Sequence, residues 1–95
     1  MIMTYNEFCT EYFRIKDSAD KILRILDSLA FMDHNVAVKA FADIYRFINN
    51  WKVREANRYR GYFWEIRKKV LSDELRSRVS EIDSKISEIV YKINI

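Results

Sequence analysis

The residue types that perform most protein chemistry are scarce in this chain. It has one cysteine, Cys9, and one histidine, His34, far apart in the sequence. They are too few for a four-ligand zinc site, and no acid stands where it would orient a Cys–His pair. The single glycine, Gly61, excludes glycine-rich phosphate loops. Glu55 and Glu65 could act as paired carboxylates but serve equally well as structural acids. We therefore expect a non-enzymatic protein with no catalytic residue, metal site or cofactor.

The chemistry that the sequence does offer is positive charge, concentrated in the middle of the chain. Residues 46–69 contain eight basic and two acidic side chains, although the net charge of the whole chain is only +3. Residues 1–45 and 70–95 are each slightly acidic. An excess of this size in one segment indicates a surface for a negatively charged partner.

At the helical period, part of this charge falls on one broad face, opposite an apolar stripe. The polar side chains of that face are Lys39, Arg46, Asn50, Arg54 and Asn57, interrupted only by Asp43. We expect binding of nucleic acid, or of an acidic partner, through the following residues: Lys39, Arg46, Asn50, Arg54, Arg58, Arg60, Arg67, Lys68 and Lys69.

Two partners fit this segment, and the sequence does not choose between them. Arginine and asparagine contact phosphate oxygens, which favours a small nucleic-acid-binding regulator or accessory factor. The alternative is a protein–protein interaction module, such as an adaptor, an immunity protein or an inhibitor encoded by a virus or mobile element. Aromatic residues interleave with the basic ones and either stack on bases or fill the core. They are Trp51, Tyr59, Tyr62, Phe63 and Trp64.

Long helices must position these side chains, because the chain has one glycine, no proline and few turn signals. Thr4 and Glu7 fit a capping box at the start of a first helix, over residues 4–31. Its apolar residues follow a strict spacing of three and four, which is typical of a coiled-coil seam. That seam is Tyr5, Phe8, Tyr12, Ile15, Ala19, Ile22, Leu26 and Leu29.

A second helix is predicted over residues 35–58, with Asp33 or Asn35 as its cap. Gly61 is the best candidate for the following turn. A third helix over 62–94 repeats the heptad spacing, and a break near residue 72 would divide it into two. Its seam is Leu75, Val79, Ile82, Ile86, Ile89 and Ile93.

The predicted fold is therefore all-α: a single domain forming an elongated three- to four-helix antiparallel bundle. The heptads of the first and last helices predict a homodimer through those seams. A lone cysteine favours a reducing compartment, so we expect a cytoplasmic protein. No apolar run approaches the length of a membrane span, so no membrane contact is predicted.

Overall fold

The computed structural model describes residues 2–61 and 65–94, which form three α-helices and one short 3₁₀ turn. Helix α1 spans Tyr5–Ser28, α2 spans His34–Tyr59, and α3 spans Ile66–Asn94. No strand occurs within these two described ranges. The all-α class predicted from the sequence is confirmed.

The start of α1 follows from its sequence. The Thr4 hydroxyl accepts a hydrogen bond from the Glu7 backbone N–H at 3.1 Å, which satisfies one of the free donors of the first turn. At the other end, the chain tightens into the 3₁₀ turn Leu29–Phe31 before Met32 becomes extended. Asp33 holds the N-cap position of α2, but its side chain makes no capping hydrogen bond.

Helix α3 is continuous through Ser72. Leu71 and Leu75 are both buried, at 0% and 5% exposure, so a spacing of four keeps them on the same face of an unbroken helix. The predicted start of this helix at residue 62 lies outside the described residues. Within them, α3 begins at Ile66, and Lys69 N–H donates to the Glu65 carbonyl at 2.9 Å.

The three helices run up, down and up. Met3 contacts Glu65 near the start of α1 and α3, and Asp27 pairs with Lys85 towards their ends, so these two helices are parallel. Glu11 pairs with Arg58 and Arg14 pairs with Glu55, so α2 is antiparallel to α1. The molecule measures 49 × 21 × 17 Å, with a radius of gyration of 15.5 Å. A compact domain of this length would have about 12 Å, so the bundle is elongated.

The core lies along the axis between the three helices. Its completely buried large side chains are Ile15, Leu26, Ile48, Leu71 and Ile82. Most residues of the two predicted seams pack into this same core, whereas Tyr5 remains 65% exposed. The seams are therefore occupied within one chain, and the predicted dimer, which stays a prediction, needs a different surface.

Candidate nucleic-acid interface

The central part of α2 turns a polar face away from the core. We call it the outer basic face; its residues are all exposed and lie opposite buried Ile48: Lys39, Arg46, Asn50, Arg54 and Asn57. With a rise of about 1.5 Å per residue, this row extends for about 27 Å along the helix. Asp43 is exposed on the same side and is the only acid of α2 that is not buried.

The cations of this face are not paired with any residue that the structure describes. Within the part of the chain that the structure describes, Lys39, Arg46 and Arg54 form no ion pair and no side-chain hydrogen bond. A cation without an internal partner presents its full charge to a ligand, and binding does not require an existing pair to be broken. These three side chains therefore suit the binding of an anion.

A groove between the end of α2 and the first turns of α3 extends the outer basic face. Its volume is about 480 Å³, and Asn57 links it to that face. Arg60, Lys69 and Arg76 also line it, with Asp73 as the acid among them. We call this feature the terminal groove.

Arg60 and Lys69 are exposed, and neither forms an ion pair with any other described residue. Arg76 lies 3.9 Å from Asp73, and both side chains are largely in solvent, so their attraction is weak. Arg76 was absent from the set predicted from the sequence. It follows Lys69 by two helical turns, a spacing that places both on the same face and could have revealed it.

Three other predicted residues are held by internal partners. Arg58 Nη2 donates to Glu11 Oε1 at 2.9 Å, and Arg67 Nη1 donates to the Met3 carbonyl at 2.7 Å. Lys68 Nζ lies 3.6 Å from the buried Glu65 carboxylate. These side chains connect parts of the fold. The other six members of the predicted set are exposed and form no ion pair among the described residues: Lys39, Arg46, Asn50, Arg54, Arg60 and Lys69.

Glu55 is neutralised by a network between α1 and α2. Its side chain is 5% exposed, and Arg14 donates to both of its carboxylate oxygens at 2.7 Å. The same guanidinium contacts Glu11 Oε2 at 2.9 Å and the Tyr59 hydroxyl at 3.0 Å. Because Arg14 balances the buried charge, the acid of α2 closest to Arg54 does not offset the positive outer basic face.

The protonation of this network is fixed by its geometry. Burial alone would raise the pKa of Glu11, but hydrogen bonds from Tyr59 and Arg14, with Arg58 nearby, bring that pKa below its ordinary value. Burial and the hydrogen bond to Glu11 raise the pKa of Tyr59. The hydrogen bonds to Glu55 raise the pKa of the Arg14 guanidinium. At neutral pH the Glu11 carboxylate is therefore ionised and accepts hydrogen bonds from Tyr59 and from the charged Arg14.

A second buried acid fixes the start of α1 against the start of α3. Glu65 Oε1 accepts a hydrogen bond from the Met3 N–H at 2.6 Å, whereas Oε2 is buried without a hydrogen bond among the described residues. Lys68 supplies the nearby positive charge. Both acids of the basic segment are thus structural, as one reading of the sequence allowed.

Of the aromatic residues that interleave with the cations, two are buried and three lie outside the described residues. Trp51 and Tyr59 are 2% and 6% exposed and belong to the core, so neither can stack on a base. Tyr62, Phe63 and Trp64, also considered for stacking, lie outside the described residues. Of the five aromatic residues considered for stacking, the two that the structure describes are therefore unavailable to a base.

Cys9 and His34, the only cysteine and histidine of the sequence, are not part of the outer basic face or the terminal groove. Cys9 is a half-buried free thiol on α1, and His34 is exposed at the first turn of α2. Within the described ranges, no cluster of three histidine, cysteine or acidic side chains is arranged to hold a metal ion. In the same ranges, none of the helices has the length and apolar character needed to span a bilayer.

Comparison with models of protein families, with curated proteins and with solved structures gave no match to this chain. The function is therefore inferred from the surface of this molecule alone.

Proposed function

We propose that this protein is a non-enzymatic nucleic-acid-binding regulator or accessory factor that contacts the phosphate backbone. The observation that carries the proposal is the row of cations on the outer basic face, which have no partner among the described residues and continue into the terminal groove. Lys39, Arg46 and Arg54 contact phosphates along α2, and Arg60 and Lys69 extend the contact. Binding is electrostatic and depends weakly on base sequence, because Trp51 and Tyr59 are buried in the core and the exposed Phe47 lines a separate apolar groove towards α1.

Salt dependence tests this proposal. Five phosphate contacts would give a slope of about −4.5 for the logarithm of duplex affinity against the logarithm of salt concentration. Fluorescence anisotropy with duplex and single-stranded oligonucleotides, over a series of salt concentrations, measures this slope. An absence of binding to both at low salt would overturn the proposal.

A pair of double variants locates the binding surface. Arg46→Gln/Arg54→Gln removes two cations of the outer basic face and should reduce the salt slope by about two. Arg24→Gln/Lys92→Gln removes the same charge from α1 and α3, at exposed positions with no ion pair in the described chain. This control should keep the wild-type slope. Equal losses in both variants would show attraction to net charge rather than to this face.

A specific observation also favours the second candidate, an adaptor, immunity protein or inhibitor that docks on an acidic protein. Val36 and Val53 are 55% and 62% exposed beside the outer basic face. A phosphate backbone is charged and offers these apolar side chains no surface on which to pack. Apolar side chains among cations are typical of protein interfaces. Failure of oligonucleotide binding, with the fold intact by circular dichroism, would favour this candidate.

The proposal extends to the cellular compartment of the protein and to the packing of its helices. We place the protein in the cytoplasm, where a single thiol such as Cys9 stays reduced. The three-and-four spacing of α1 and α3 supports coiled-coil-like packing within the bundle. A viral or mobile-element origin belongs to the second candidate, the adaptor, immunity protein or inhibitor.

A further inference from the structure

An apolar groove runs between α1 and α2 at the middle of the bundle. Ile25, Ile44 and Phe47 form its walls above the core residues Ile22 and Ile48, and its volume is about 250 Å³. Its lining includes no residue of α3. Ile25 is 42% exposed and Phe47 is 54% exposed, so a continuous apolar surface faces water. Such a surface is stabilised when a partner covers it.

Two charged residues flank this groove, one on each helix. Asp43 lines the groove on α2. Lys21 lies one helical turn before Ile25 and two turns after Arg14. Because Arg14 contacts Glu55 of α2, this spacing places Lys21 on the side of α1 that faces α2. Both are exposed, and neither forms an ion pair with another residue that the structure describes. The flanks of the groove therefore carry one free charge of each sign.

The two charges occupy diagonal positions. The pairs Arg14–Glu55 and Glu11–Tyr59 align the two antiparallel helices, so residue numbers rise along α1 as they fall along α2. Continuing this alignment places Asp43 level with about residue 26 of α1, so it lies roughly 7 Å further along the bundle than Lys21. The cation is thus at one end of the groove on one helix, and the anion is at the other end on the other helix.

We propose that a second copy of this chain covers the groove. The two copies are related by a two-fold axis that lies in the interface, passes through the centre of the groove and is perpendicular to the line from Lys21 to Asp43. Rotation about this axis exchanges the two ends of that line, so it brings Lys21 of each copy against Asp43 of the other. Ile25, Ile44 and Phe47 of both copies then pack together between two symmetric ion pairs. This charge complementarity identifies a second copy as the occupant, and the interface differs from the heptad seams, which the core uses.

Sedimentation equilibrium of the full chain, from low to high micromolar concentration, tests the association. The wild type should approach twice the chain mass, and Phe47→Glu should weaken dimerisation at least about tenfold. Val53→Glu is the matched control, because Val53 has similar exposure on α2 but does not line the groove. It should dimerise like the wild type, and circular dichroism should show both variants to be helical.

A charge exchange tests the proposed geometry. Lys21→Asp and Asp43→Lys should each weaken the dimer, because each places like charges together at both symmetric contacts. The double variant should restore the wild-type dissociation constant to within about threefold. Wild-type protein that is monomeric at high micromolar concentration would overturn the proposal and leave the groove for a different protein. A dimer insensitive to Phe47→Glu, or a double variant without rescue, would overturn it as well.

Discussion

At the scale of single residues, identical side chains on one helix have different roles. Arg46 and Arg58 both lie on α2 among basic neighbours, but only Arg58 has an acid within reach. That acid, Glu11, is 47 positions away in the sequence. Arg14 likewise looks like an ordinary helix cation until Glu55 is found buried against it. Pairing across helices therefore determines which cations remain available to a ligand.

Removal of Arg14 gives the first prediction at this scale. Arg14→Met leaves Glu55 buried without its main partner and should lower the free energy of unfolding by about 3 kcal/mol. This lies at the low end of the usual range because Arg58 Nε is 4.0 Å from the same carboxylate. Urea denaturation measures the change. Arg24→Met, at an exposed position on the same helix, should stay within about 0.5 kcal/mol of the wild type.

The double variant Arg14→Met/Glu55→Met tests whether the ion pair itself stabilises the fold or whether Arg14 only compensates the cost of burying the Glu55 carboxylate. It removes both charges from the buried site, so it should be more stable than Arg14→Met alone. A double variant that loses the sum of the two single losses would contradict this account of the network.

At the scale of the elements, the turn after α2 depends on its glycine. Helix α2 ends at Tyr59, Arg60 is extended, and Gly61 has a φ of +80°. This left-handed conformation is open to glycine at no steric cost, whereas a side chain with a Cβ atom is strained there. The turn sets the position from which Arg60 reaches the terminal groove.

A pair of substitutions at this turn tests the role of backbone conformation. Gly61→Ala should destabilise the protein by about 1 kcal/mol, because a left-handed alanine is unfavourable. An added Cβ would meet no atom within 4 Å, so crowding does not contribute. Gly61→Asn should cost less, because asparagine tolerates this region better. Thermal unfolding of both variants measures the difference, and equal losses would argue against a conformational cause.

At the scale of the whole molecule, ion pairs join every pair of helices. Glu11 connects α1 to Arg58 and Tyr59 of α2, while Asp27 connects α1 to Lys85 of α3. Lys52 and Asp83 connect α2 to α3. Because the bundle is narrow and its core is thin, these contacts along its surface contribute to holding the helices in register.

The stability of the molecule should therefore depend on pH at both extremes. The pKa of Glu11 is lowered in the folded state, so its contribution is complete above the ordinary value of 4.5 and is lost as the pH falls below it. The pKa of Tyr59 is raised from 10.0, so its contribution is lost as the pH rises above that value. Chemical denaturation between these limits should show a plateau.

Replacing Glu11 separates its contribution to the loss of stability at low pH from the contributions of the other carboxylates. Glu11→Gln should flatten the decline in unfolding free energy below pH 4.5, because one linked proton is removed. Glu81→Gln is the control, since Glu81 is exposed and forms no ion pair in the described chain. An acid decline of wild-type steepness in Glu11→Gln would show that other groups control it.

The sequence by itself determined the all-α class, the capped start of α1 and the presence of a positive segment. These features are local: a helix depends on the period of its apolar residues, and a cap depends on side chains three positions apart. Charge can be counted without any structure. The tertiary structure decided which cations remain unpaired, because Arg58 meets Glu11, and Arg67 meets the Met3 carbonyl, only when distant parts of the chain pack together. It also placed Arg60 of the turn after α2 beside Lys69 and Arg76 of α3, and Ile25 beside Phe47, since grooves form between helices and not within one.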